Sequence, residues 1–318
     1  MWRVLALWLL ATWCAECVWG GFTPADYPVV VLFLGPLYGG AAVLIREVAR
    51  RCGGGWPSVV LLAVAFGLVQ AGLVDQSLFD AAALEGTEFA GQGVAARATW
   101  VPGLGFSAGQ LVEFVGNHVM WSVCAPIAVV EACSRAGVRR ASWLSGRWIV
   151  VVAVSYVAGS LLIWSDAGGV VSPVQFGVVV LSAVVLVVAA VWWRPVSSPP
   201  LSGPGPWVVG GVVLAAHVVG WFYGPGWRGW GLRVVTLAVV AALVVRWARS
   251  EAHVLAAWGA GLVSAAAGAF LVPPYEPAPV WLTLTADVFG AVLVVSVLTW
   301  AFHRLTSDRR EPARLRPA

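Results

Sequence analysis

The 318-residue chain contains no lysine; all 19 of its basic residues are arginine. Charge is scarce altogether, at 11% of residues, against 60% hydrophobic residues and a mean hydropathy of +0.86. That balance excludes an ordinary soluble domain, in which about a quarter of the residues are charged. Also missing are zinc-ligand spacings, a phosphate-binding glycine loop, a Ser-His-Asp order and a nucleotide motif, so neither metal nor cofactor is expected. Five cysteines make no disulfide framework. Cys14 and Cys17 form a C-x-x-C on one helical face, but redox chemistry would need an exposed, activated thiolate, and they read better as small packing residues.

What the chain does have is long apolar runs. A helix needs roughly 20 apolar residues to cross a hydrocarbon core ~30 Å thick. Ten segments approach that length: 4–20, 28–47, 57–78, 106–131, 148–165, 173–193, 207–224, 231–247, 252–273 and 281–302. The expected fold is therefore all-α, a polytopic integral membrane bundle of about ten transmembrane helices. The start, MWRVLALWLLATWCAEC, resembles a secretory signal, yet Trp13, Cys14, Glu16 and Cys17 stand where small residues would mark cleavage. It is read as a retained first helix.

Arginine placement orients the bundle. With the N-terminus inside, sixteen arginines fall on the cytoplasmic side and three, Arg97, Arg228 and Arg233, on the outer side. Such a bias places both termini in the cytoplasm of a bacterial-type plasma membrane. The net charge of +4 then implies no nucleic-acid partner, because it reflects arginines kept beside membrane ends. Membrane lipids are the expected surroundings, and the basic tail 304–318 has a composition suited to touching anionic lipid. Many of the 20 tryptophans, among them Trp2, Trp56, Trp148, Trp192, Trp193 and Trp300, fall near proposed helix ends, where indoles anchor at headgroups.

The chain is read as one membrane domain over 1–318. Helices one to four, within 1–140, carry the polar residues, and helices five to ten, within 141–303, are plainer and richer in Val, Ala and Leu. A Pro/Ser/Gly linker, 194–206, joins helices six and seven, and no internal repeat is visible. AFGLVQAGLVDQSLFD, residues 65–80, sets polar groups into a membrane-like run. Following each helix in its direction places Glu16, Gln70 and Asp75 at about the depth of Glu113, Asn117 and His118, all in the outer half. His217 and Asp287 have similar depth but read as packing or interfacial groups. Gln110, Glu113 and Asn117 share a helical face by i, i+3, i+7 spacing. Asn, Gln and His also bond between membrane helices as structural glue. Several ionisable groups at one depth are nevertheless expensive unless they pair or face water.

FLGPLYGG puts Pro36 and three glycines within helix two, which invites a kink and close helix packing. At the inner ends, Glu47 with Arg51 and Glu131 with Arg135 have i, i+4 spacing and read as solvated ion pairs.

The series LGPLYGGAAVLIREVARR, GWPSVVLLAVAFGLVQAGLVDQSLF and HVMWSVCAPIAVVEA, over roughly residues 10–135, resembles bacterial polytopic membrane proteins of actinobacterial type. That resemblance implies kinship and carries no activity with it. More distantly, the chain is similar to the CPBP intramembrane protease family, whose pattern is a Glu-Glu pair followed by an Arg, then Phe-x-x-x-His. Phe114 and His118 match the second element. Gln70 and Ala71 stand where the Glu pair belongs, and Glu47 with Arg51 supplies only half of it elsewhere, Arg46 replacing its first Glu. In the protease reading Glu113 or Asp75 would act as base and His118 would steady an oxyanion; a catalytically inactive scaffold relative, binding a lipid or a partner helix through the same groove, is the other alternative. The reading preferred from the residues is a binding or transport protein for a small solute, coupled to protons or a cation, with Glu16, Gln70, Asp75, Glu113, Asn117 and His118 as candidate ligand-binding residues. The oligomeric state is not legible.

Overall fold

The computed structural model describes residues 1–80, 82, 84–85, 87–193 and 203–314, with side chains as far as 307. Most of the 194–206 linker and the last four residues of the basic tail lie outside the described residues. The elements in chain order are α1 (Trp2–Glu16), α2 (Tyr27–Arg51), α3 (Gly55–Val74), α4 (Ala90–Ala96), a two-stranded hairpin of β1 (Trp100–Val101) and β2 (Phe106–Ser107), and α5 (Ala108–Cys133). They continue with α6 (Ala136–Arg139), α7 (Gly146–Asp166), α8 (Pro173–Trp192), α9 (Pro206–Gly220), α10 (Gly226–Trp247), α11 (Glu251–Ala269) and α12 (Val280–Arg314).

Among the described residues, eight of these helices, α2, α3, α5, α7, α8, α10, α11 and α12, are long and apolar enough to cross a membrane. Such a chain is a multi-pass membrane protein. The two remaining apolar segments also form helices, α1 and α9, each of 15 residues.

The helices sort into two layers. Between 50% and 61% of the apolar stretch in α2, α3, α5 and α11 is buried, against 6% to 17% in α7, α8 and α10. The outer helices expose Val150, Val154, Leu161, Val184, Val185, Val235 and Val245. Uncharged apolar side chains turned outward over whole helices suit a hydrocarbon surrounding. Inside, one core joins α1, α2, α3 and α5 through Leu7, Leu37, Val43, Val59 and Ile127, and a second joins α1, α5, α11 and α12 through Val129, Leu255, Leu262 and Val294. Helices α1 and α5 belong to both.

Close approach explains the glycines of α2. A Cβ on Gly39 would lie 2.6 Å from the Trp8 ring of α1. On the other side of α2, a Cβ on Gly159 of α7 would come within 2.9 Å of Pro36 Cβ and Leu37 N. The expectation of tight helix packing in FLGPLYGG holds, since dispersion contacts between small residues are what drive helix association when lipid is the alternative neighbour.

The connection from 79 to 106 holds α4 and β1; Val101 pairs with Phe106 across the hairpin. At the opposite end of the bundle the reading of solvated ion pairs needs correcting. Arg46 and Glu47 are 0% and 1% exposed, and Glu131 is 1% exposed. Glu47 keeps Arg51 at 3.8 Å, as the spacing implies, but Glu131 bonds Arg46 and Arg50 of α2 rather than Arg135. The side chains point into the α2–α5 contact, where a partner on a neighbouring helix is closer than one a turn away.

Candidate functional site: a polar crevice

Three α-helices widen into π-helical turns, at Gly35–Gly39, Gln70–Val74 and His118–Cys124. Pro36 lies within the first and Pro126 follows the third; each removes an N–H donor and so favours a break in the i→i−4 ladder. Turns of this kind re-aim side chains and recur at functional positions. Here they bring three elements together. Tyr38 and Phe66 flank the His118 ring at centroid distances of 5.8 and 5.6 Å, and His118 Nδ1 lies 3.3 Å from Ser122 Oγ.

Beside that ring group sit two carboxylates. The Tyr38 phenol and the Asp75 carboxylate both lie close enough to Glu16 to interact with its charge. Asp75 accepts from Gln70 Nε2 at 3.3 Å and from the Ser77 backbone N–H at 2.9 Å. Protein surrounds Glu16, Asp75 and His118 on most sides, yet all three retain solvent-accessible surface, as groups lining a crevice do. Neither Glu16 nor Asp75 has an ion-pair partner among the described residues. Gln70 is 1% exposed, and its Oε1 has no hydrogen-bond partner among the described residues.

The last polar residue of that stretch does something else. Gln76 has φ 59°, in the left-handed region that a non-glycine residue seldom occupies. Its side-chain Oε1 accepts from the Val170 N–H at 2.9 Å, tying the end of α3 to the α7–α8 connection. Gln76 is a structural anchor.

Aromatic rings from three helix connections meet near the carboxylates. Tyr275, in the α11–α12 connection, contacts Trp19 at 5.2 Å, Phe22 at 5.5 Å and Phe89 at 5.2 Å between centroids. Its backbone N–H donates to Gly21 O at 3.0 Å. Gly20, at φ +89°, makes the turn that brings this segment against Ala269. Burial pushes the Tyr275 phenol above its ordinary value, and Glu16 and Asp75 nearby push it the same way, so it remains a protonated donor.

The candidate residues therefore divide. Glu16, Gln70 and Asp75 form one group, and Tyr38 links it to His118. Glu113 projects from another face of α5, where it keeps an exposed surface among surrounding protein and feels the charge of Arg233 on α10. Asn117 is half-buried with no side-chain hydrogen bond among the described residues. His217 bonds within its own helix, Nδ1 to Val213 O at 2.8 Å. Asp287 is 3% exposed, and its Oδ1 lacks a partner. Tyr38 and Tyr275 were missed by sequence reasoning; the proline beside Tyr38 was the available signal for the first, and nothing local marked the second.

At the opposite end of the bundle every guanidinium nitrogen of Arg46 has an acceptor: Glu131 Oε1 at 3.1 Å, Glu47 Oε1 at 2.6 Å and Arg139 O at 2.8 Å. The guanidinium also lies 3.5 Å from the Trp143 ring centroid. Glu47 accepts from the backbone N–H groups of Trp143 and Leu144, and Arg50 adds a two-point contact to Glu131. His118 precedes Glu131 by 13 residues on the same helix, about 20 Å along its axis. The Glu47–Arg51 and Phe114–His118 elements of the protease pattern are thus at opposite ends and do not meet.

No protein-family model, curated protein or solved structure matches this chain.

Proposed function

We propose that this chain is a plasma-membrane protein of bacterial type, with ten spans and both termini in the cytoplasm, that binds a small solute in an outward-facing crevice and moves it in a cation- or proton-coupled cycle. The observation that carries the reading is the outer carboxylate pair, Glu16 and Asp75, reachable by solvent and without a basic partner among the described residues. Ionisable groups are kept at membrane depth at a cost that packing alone does not repay, and they mark solute and ion paths by default. The arginine asymmetry gives the orientation. Two barriers stand below the crevice: the Tyr38–Phe66–His118 ring group, then the ion-pair network of Arg46, Glu47, Arg50 and Glu131. An outward-open, inward-closed form has this distribution of access. A peptide-cleaving activity lacks a comparable observation, since among the described residues the Glu16–Asp75 pair connects to His118 through the Tyr38 ring and neither carboxylate bonds the imidazole.

Single cysteines at 51, 71 and 75 in a cysteine-free background test the reading with a membrane-impermeant thiol reagent. Asp75→Cys should label from outside, Ala71→Cys should be protected, and Arg51→Cys should label only after the membrane is opened. Protection at 75 in a folded protein, or labelling there only from the cytoplasmic side, overturns the crevice or its orientation. Reporter fusions after residues 90, 170 and 226 should read extracytoplasmic, and those after 140, 200 and 312 cytoplasmic; two reversed signals refute the ten-span map.

A further inference from the structure

We infer that the crevice selects a protonated amine, held by Glu16, Asp75 and Gln70 and covered by the Tyr275 aromatic group. The inference rests on reading the crevice as a ligand site and adds the chemistry of what it takes.

The polar lining holds acceptors that its own donors leave unfilled and, among the described residues, no cation. Glu16 and Asp75 present two carboxylates, and the 1%-exposed Gln70 beside Asp75 presents a carbonyl oxygen with no partner. Such an oxygen is costly to bury and is satisfied by a ligand that donates. No Arg is paired with either carboxylate among the described residues. A ligand that is both a cation and a multiple hydrogen-bond donor completes this set, and an alkylammonium group is one: three N–H donors on a single positive charge. An anion or a neutral acceptor would meet repulsion or leave Gln70 Oε1 unpaired.

The cover points the same way. Trp19, Phe22, Phe89 and Tyr275 come from three separate connections and meet in one group, with Tyr275 near both Glu16 and Asp75. Aromatic faces attract organic cations and bury their carbon substituents, whereas a hydrated inorganic ion gains little from four rings. Charge outside agrees. Asp26, Asp80, Glu85, Glu88, Asp166 and Glu276 lie in the outer connections or at their helix ends, against Arg97, Arg228 and Arg233, and Glu88 and Glu276 adjoin two of the covering rings. A surface of that sign draws cations toward the mouth.

The test uses the full chain purified in detergent or nanodiscs, with benzylamine, benzyl alcohol and sodium chloride as probes, read by titration calorimetry and thermal unfolding. Benzylamine should bind saturably and raise the melting temperature, and benzyl alcohol, the neutral counterpart of similar shape, should do neither. Glu16→Gln and Asp75→Asn should each weaken benzylamine at least tenfold while melting, without ligand, near the parent temperature. Tyr275→Ala should weaken it severalfold and Tyr275→Phe hardly at all, because the ring face rather than the hydroxyl meets the ammonium. Equal binding of benzyl alcohol would overturn the inference in favour of an apolar site. Stabilisation by sodium that Asp75→Asn abolishes, with none by benzylamine, would overturn the amine and leave a cation-binding crevice standing. No binding of any probe, with Asp75→Cys still labelled from outside, would likewise sink the amine and spare the crevice; protection of residue 75 would remove both.

Discussion

The two ends of this bundle use the same carboxylate chemistry to opposite effect. At the inner end Glu47 and Glu131 are buried, and their oxygens are met by Arg46, Arg50 and the backbone N–H groups of Trp143 and Leu144. At the outer end Glu16 and Asp75 share a crevice with each other, with tyrosines and with a glutamine whose Oε1 has no partner. The difference is the supply of cations. A carboxylate whose lone pairs and charge are met by arginines has nothing left for a ligand; one without a cation, as Glu16 and Asp75 are among the described residues, leaves its charge for water or a ligand to meet. Helix α2 passes through both environments, with Tyr38 at one and Arg46 to Arg51 at the other.

That contrast is most easily broken at the inner end. Arg46→Ala would leave Glu47 and Glu131 short of a partner in a buried site, a change that costs about 3–5 kcal/mol. Thermal unfolding in detergent should show a large drop in melting temperature or loss of folded protein, with Arg46→Lys recovering only part, because an ammonium cannot reproduce the planar fork. A melting temperature unchanged in Arg46→Ala would mean that the network is solvated. Next in size is Gly159→Val, which forces a side chain against Pro36 and Leu37 at the first π-helical turn. Overpacking of this kind costs about 1–3 kcal/mol, and it should also disturb the Tyr38 position, so benzylamine binding should weaken along with stability. Binding that survives a destabilised Gly159→Val would separate the π-helical turn from the site.

Smaller still, and opposite in character, are the outer substitutions. Glu16→Gln and Asp75→Asn remove one of two neighbouring like charges, so unfolding should shift by less than about 1 kcal/mol, or toward greater stability. A loss as large as that of Arg46→Ala would place the outer pair in the same structural class as the inner network. Least of all is expected from Glu113→Gln: the side chain is exposed on another face of α5, and its effect on stability should stay within about 0.5 kcal/mol. A tenfold loss of benzylamine binding in Glu113→Gln would return that residue to the crevice.

How much of this was legible in the chain varies residue by residue. The apolar runs announced the helices because crossing hydrocarbon demands both length and composition, and nothing else produces a run like 173–193. The glycines around Pro36 announced close packing, since little but a neighbouring helix calls for several missing side chains on one segment. Asp75 and Glu16 were legible as costly polar groups at similar depth. Gln76 was not separable from Gln70 and Asp75, because its left-handed backbone and its bond to Val170, 94 positions away, leave no local mark.

Composition and run length by themselves determined that this is a helical multi-pass membrane protein with few ionisable groups inside it, because the solvent preference of each segment is a sum over its own residues. Which carboxylates are saturated and which are open was decided only by the tertiary structure. Glu131 finds Arg46 85 positions away rather than Arg135 one helical turn on, and Tyr275 reaches Glu16 from the far end of the chain. Hydrogen bonds are short and directional, so the partner of a buried charge depends on where helices cross, and no spacing within one helix encodes that crossing.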